Sequence, residues 1–277
     1  SPVNTSGSTS ISTAVTAFNS DGFTVGSTLS STTKAYASWT FRKAPGFFDV
    51  VTYSGTGTSG LTVNHSLGSV PGCIAIKRTS STGAWRVFHR SLGATKHVEL
   101  DSTGAAATNT AIFNDTAPTS TQFTLGNNSS VNASGHTYVA YLWAHDDQSF
   151  GTNSDEAIIK CGSVTTGSDE YATVDLGFEP QFVMFKRTDA SGDWLMLDTM
   201  RGWNLGNDDK RLYANLGQAE NTTSSGHGEV NSTGFRIYNL GGSADLIYVA
   251  IRRPHKPPEA GTDVLDVIAR SGTGSTT

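Results

Sequence analysis

Only two cysteines occur in 277 residues, Cys73 and Cys161. A chain this long is not stapled by them, and they do not occupy matching places in the internal repeat described below. Cys73 matches Phe182 and Cys161 matches Tyr53, so two buried free thiols acting as small apolar residues are expected. Charge is also scarce, at 16% of residues, with a net charge of −5 and no Lys/Arg block. Nucleic acid is therefore not an expected partner, because phosphate neutralisation needs a concentrated positive face. No apolar run is long enough to cross a bilayer, so membrane insertion is not expected. The first ten residues, SPVNTSGSTS, lack the charged start and apolar core of a signal peptide.

Catalytic spacings are missing too. Five of the seven histidines, His65, His89, His97, His136 and His145, lie between residues 47 and 150 and show no HExxH or paired Cys/His pattern. They are expected to be surface or half-buried strand residues. The acidic pairs Asp146-Asp147, Asp155-Glu156, Asp169-Glu170 and Asp208-Asp209 sit next to each other in sequence, so their side chains diverge rather than face one cleft. No DxDxDG loop offers calcium a site. No GxSxG elbow is present, and the Gly-rich runs do not lead into helices. No enzyme activity, metal or cofactor is expected.

What the sequence has is a repeat. PGCIAIKRTSSTGAW, from Pro71, recurs as PQFVMFKRTDASGDW, from Pro180. Lys77-Arg78-Thr79 becomes Lys186-Arg187-Thr188 and Trp85 becomes Trp194, both at an offset of 109 residues. Each copy reads as an apolar strand, a polar turn and a second strand opening on Trp, which is a hairpin signature. Further matches join Phe23, Phe123 and Phe235, then Tyr36, Tyr138 and Tyr248. At the other end, FDVVTYSGTG from Phe48 returns as LDVIARSGTG from Leu265. The chain thus divides into the end of one repeat (1–46), two whole repeats (47–150 and 151–260) and the opening strand of another (261–277).

Strands are expected in the first whole repeat near 48–54, 60–66, 72–79, 85–90, 96–100, 111–113, 121–126 and 137–144. Met200–Trp203 and Asp208–Leu212 are expected to form short turns. Abundant Ser, Thr, Gly and Asn with apolar runs rich in Val, Ile, Phe and Tyr favour an all-β fold. Tandem antiparallel β-sandwich, jelly-roll-like domains of ~100 residues are the expected form.

Three residues stand out as ligand-binding candidates. Arg78 and Arg187 could hold a carboxylate or sugar acid in a bidentate fork. Against that, cations at a strand end guard a sheet edge or pack over Trp85 and Trp194. Trp203, in MRGWNLG, has no partner in the first repeat and is expected to be exposed for stacking on a sugar. Trp85 and Trp194 are expected to fill the core.

The phrases VPGCIAIKRT, WRVFHRSLGATK, GHTYVAYLWAHD, LGFEPQFVMFKRT, DTMRGW and IYVAIRRPHKPPEAGTDV resemble the VrlC-like structural proteins of tailed bacteriophages, notably the cyanophage type. The resemblance runs from about Phe18 to Gly274. It implies a virion protein, part of a tail fibre, baseplate or other appendage, built of repeated β-domains. Such a protein would assemble with other virion proteins, form a homo-oligomer and attach to a host surface by binding, without catalysis. The surface loops at 94–109, 126–136, 202–210 and 217–230 would make those contacts. The alternative is a carbohydrate-binding module of a larger, polysaccharide-degrading protein, meeting a host cell-surface glycan.

Overall fold

A computed structural model describes residues 14–253, apart from 21, 28, 30–34, 152, 204–208, 224–225, 239 and 241. The expected opening strand at 261–277 and the spacer HKPPEAG lie outside the described residues.

The chain opens with a small hairpin, β1 (Val15–Phe18) and β2 (Phe23–Val25). The first repeat follows as β3 (Phe48–Ser54), β4 (Leu61–Asn64), β5 (Cys73–Arg78), β6 (Arg86–His89), β7 (Lys96–Glu99), β8 (Ala107–Thr108), α1 (Thr110–Phe113), β9 (Gln122–Leu125), α2 (Ser129–Asn132) and β10 (Thr137–Trp143). The second is β11 (Ile159–Thr165), β12 (Ala172–Asp175), β13 (Pro180–Arg187), β14 (Trp194–Asp198), β15 (Asp209–Tyr213), β16 (Asn221–Thr223), β17 (Gly228–Asn231), β18 (Gly234–Ile237) and β19 (Asp245–Arg252). The protein is nearly all β, with antiparallel pairing throughout the described strands.

Both repeats use one topology. The first has a six-stranded sheet in the order β3-β10-β5-β6-β7-β8, and the second has β11-β19-β13-β14-β15-β16. Each repeat adds a small sheet, β4-β9 in the first and β12-β18-β17 in the second. The first and last strands of a repeat are therefore neighbours.

Strand alternation sorts the second large sheet into two faces. Val183, Phe185, Leu195, Leu197, Leu246, Tyr248 and Ala250 pack with Val174, Phe235 and Ile237 of its own small sheet. The intervening Phe182, Met184, Trp194, Met196, Ile247, Val249 and Ile251 join the core of the first repeat instead. In the first sheet, the matching outer face carries Cys73, Ala75, Val139, Tyr141 and Trp143. The two repeats thus share a core through their large sheets. Backbone bonds cross the seam as well, from Ala106 N to Thr188 O and from Gly192 N to Thr103 O, both at 2.9 Å.

Several expectations need correction. Residues 111–113 form helix α1, not a strand. The Asn109 side chain accepts from Ala111 N at 3.1 Å and starts the turn, while Asn114, at φ 53°, ends it. Helix α2 begins in the same way, on Asn128. Asp208–Leu212 is not a turn, because residues 209–213 are strand β15, paired to β14. The pairing also makes Leu246, not Tyr248, the counterpart of Tyr138, since Arg78 pairs with Tyr138 and Arg187 with Leu246, and it places Val164, not Cys161, at the position of Tyr53. Tyr53 stacks on Tyr138 at 5.1 Å, whereas a Cβ on Gly162 would lie 2.3 Å from the Tyr248 hydroxyl. Glycine at 162 leaves room for the Tyr248 ring opposite it.

Both cysteines are free and buried, as expected. Burial pushes the Cys73 thiol up to about 12. His65, His89 and His97, however, are buried rather than superficial. His89 sits on the seam, its Nε2 3.1 Å from the Tyr248 carbonyl.

Candidate functional site

The Lys-Arg-Thr hairpins are built as internal supports. Strands β5 and β13 each lie between two others, so their cations guard no sheet edge, contrary to one expectation. Both lysines are buried. The Lys77 ammonium donates to the Gly83 carbonyl at 2.6 Å, six residues along the hairpin. Lys186 repeats this with Gly192 at 2.6 Å and adds Thr103 of the other repeat at 2.9 Å. Desolvation drives Lys186 down to about 8, partly offset by Asp193. The charge is kept where loop carbonyls converge on it.

The arginine forks are already engaged. Arg78 lies over Tyr138, not Trp85, at 5.6 Å. Its Nε donates to the Tyr138 hydroxyl at 3.2 Å, and Nη2 donates to the Ser129 carbonyl. Arg187 grips Asp189 with Nε and Nη2, both at 2.9 Å, and reaches the Ser243 carbonyl at 2.9 Å. The cation over Trp85 is Lys77, at 5.8 Å. Trp194 is buried, as expected, while Trp85 is half-buried and stacks on Tyr141.

Trp203 is not exposed. It is 1% accessible and packs against Phe235 at 6.0 Å inside the second repeat. Beside it, Asp209 accepts from His227 N at 2.7 Å and Gly228 N at 3.1 Å, and Arg211 bonds to His227. No contact among the described residues brings Arg78, Arg187 and Trp203 together. They support three separate places in the fold.

The open feature is a groove of about 1550 Å³ between residues 35–41 and the end of the second large sheet. Its apolar floor includes Trp39, Phe41, Phe182 and Ile251. Trp39 and Phe41 meet Phe182 at centroid distances of 5.9 and 6.4 Å. Tyr36 and Met200 are exposed at its rim.

Arg201 organises one wall. It donates through N and Nε to Asp198 at 2.9 and 2.6 Å, through Nη1 to Glu220 at 3.0 Å, and through Nη2 to the Met196 carbonyl at 3.1 Å. Its guanidinium also lies over Trp39 at 5.3 Å, and Trp39 Nε1 donates to Asp198 at 3.3 Å. Asp198 and Glu220 do share a cleft, as a glycosidase pair would. Arg201 bridges them, so both carboxylates are already bonded to one guanidinium. Sequence reasoning passed over this hub. The available signal was an Asp and an Arg three residues apart at a strand end, where the first repeat has His89 and Leu92.

Among family models, one described as Domain of unknown function (DUF7483) matches residues 2–251. No curated protein and no solved structure matches the chain.

Proposed function

The chain belongs to the DUF7483 family, and from that premise we propose that it is a structural module of a phage virion appendage, acting in assembly and host-surface attachment by binding. One observation carries the reading: the two repeats share a core through their large sheets. Tandem repeats fused in this way make a stiff body and leave connecting loops free to vary. The resemblance to VrlC-like virion proteins points the same way, and so do polar hairpin charges turned to internal support. Repeated copies would add reach and avidity at a host surface.

The carbohydrate-binding alternative relied on Trp203, which the core has claimed. Tyr36 and Trp39 line the groove and are accessible aromatic residues among the described ones.

Immunogold labelling of intact particles with antibodies to this chain tests the virion reading. Gold on a tail, fibre or baseplate is the expected result. Unlabelled particles, alongside labelled chain in the cell lysate, would overturn it.

A further inference from the structure

We propose that His89 and His145 form an acid-released latch between the two repeats, closed at neutral pH and opened by protonation while each repeat keeps its fold. The proposal concerns the joint itself and does not rest on the virion reading.

Strand ends place both rings on the seam. His89 closes β6 and is 1% exposed. Its Nδ1 accepts from Ser91 N at 3.3 Å, so the ring proton sits on Nε2, which donates to the Tyr248 carbonyl of the second repeat at 3.1 Å. His145 lies just beyond β10 and is half-buried. Its Nδ1 accepts from Cys161 N of β11 at 3.1 Å. β11 is the outermost strand of its sheet, and the His145 ring stands where a neighbouring strand would offer a carbonyl. On either side of it, Asp146 N donates to the Ile159 carbonyl at 2.9 Å and Cys161 Sγ donates to the Ala144 carbonyl at 3.4 Å. Residues 144–146 thus run along the edge of β11 and clip the second repeat to the first.

Neither ring can take a second proton in place. Each Nδ1 is already held by a backbone N–H, so an imidazolium must give up that bond and leave the donor unpaired. For His145 the bond lost is the clip itself. For His89 the new charge is stranded away from water, and reaching solvent means leaving the Tyr248 carbonyl. Water cannot come to the charge, because the joint is closely packed. A Cβ on Gly72 would lie 2.7 Å from the Cβ atoms of both Cys161 and His145.

The surrounding charges make matters worse. Among the described residues, Arg90 acts on both rings, and Lys160 and Asp146 act on His145. Asp146 is already paired with Lys160 at 3.1 Å. Cys73, Cys161 and Tyr248 complete the titratable groups of the joint, and burial keeps all three neutral. Acid therefore adds two cations beside two others, against one carboxylate.

Both closed rings titrate at about 4, mainly through desolvation, and a released ring titrates near 6.5. The latch is fully closed above about 6.5 and is lost as pH falls toward 4. At pH 5, protons favour the open joint about thirtyfold through His89 alone.

Cys161, 0% exposed against His145, is a native reporter. The full chain is labelled with 4,4′-dithiodipyridine at pH 7.5 and 5, and each rate is divided by that of glutathione at the same pH. This ratio removes the fall in thiol reactivity that acid itself causes. It should rise about tenfold or more at pH 5, with the label on Cys161 by peptide mass spectrometry and the far-ultraviolet circular dichroism still native. His89→Gln combined with His145→Gln should hold the ratio at its neutral value. A rise that comes only with loss of the dichroism would overturn the latch in favour of global acid unfolding. No rise would overturn it outright, and so would an equal rise in the double variant. The wild-type comparison decides the case even where the double variant does not fold.

Discussion

Trp194 of the second repeat donates its indole N–H to the carbonyl of Glu99 in the first, at 2.8 Å. The ring is 1% exposed, so this bond ties the repeats in a place water does not reach. Replacing Trp194 with Phe keeps an aromatic ring and orphans the carbonyl. A loss of about 1–3 kcal/mol is expected, read as a lower urea midpoint. Because the core is shared, unfolding followed by fluorescence and by far-ultraviolet circular dichroism should stay coincident. Two separate transitions would show that the repeats unfold independently.

Asn132 makes a second test, within one repeat. It is fully buried. Its oxygen accepts from Thr56 N at 2.7 Å, and its amide donates to the Thr58 and Gly126 carbonyls, both at 2.7 Å. Asn132→Ala leaves three backbone groups unpaired and should cost about 3 kcal/mol or more. Asn132→Asp restores the acceptor but faces two carbonyls with a carboxylate, and it should not rescue the protein. Thermal melts of the two variants check this.

Acid should weaken the protein through its buried histidines. Burial depresses His89 to about 4, with Arg90 and His145 adding to the effect and the Tyr248 carbonyl opposing it. His97, His145 and His227 are also near 4, each mainly through desolvation. The unfolded chain binds these protons near pH 6.5 and the folded one only near 4. Stability is therefore fully present above about 6.5 and falls as pH drops toward 4, by on the order of 3 kcal/mol for His89. Urea midpoints at pH 7.5, 6 and 5 should decline, and His89→Gln should flatten the slope.

Arg201 holds the groove wall. Arg201→Ala strips Asp198, whose side chain is 6% exposed, of its cation and removes the cover over Trp39. A loss of about 3 kcal/mol is expected. Faster hydrogen exchange confined to the groove wall would be the local sign. Arg201→Lys keeps the charge but cannot reproduce the fork, so it should recover only part of the loss.

The strands around Cys73–Arg78 and Thr137–Trp143 were legible because their apolar runs are long and bounded by turn residues. The repeat was legible because Lys-Arg-Thr and Trp return at one spacing. Helix α1 was not, since Ala-Ile-Phe reads equally as a strand until the Asn109 side chain is seen to cap it. The burial of Trp203 depends on Phe235 across the core, and that of Lys186 on the Thr103 carbonyl of the other repeat. That proximity leaves no local pattern. The groove was hidden for the same reason, since Trp39 and Arg201 are far apart in sequence and meet only in the fold.

The two shared faces have also ceased to be copies. Where the first presents Cys73 and Ala75, the second presents Phe182 and Met184. A duplicated surface that packs on its twin must either remain self-matching or divide the volume between the partners, and here one side thinned while the other thickened. The duplication is therefore locked into order. Exchanging the halves of the gene for two first copies would leave a void, and two second copies would collide, although every strand and turn would still be written in the sequence.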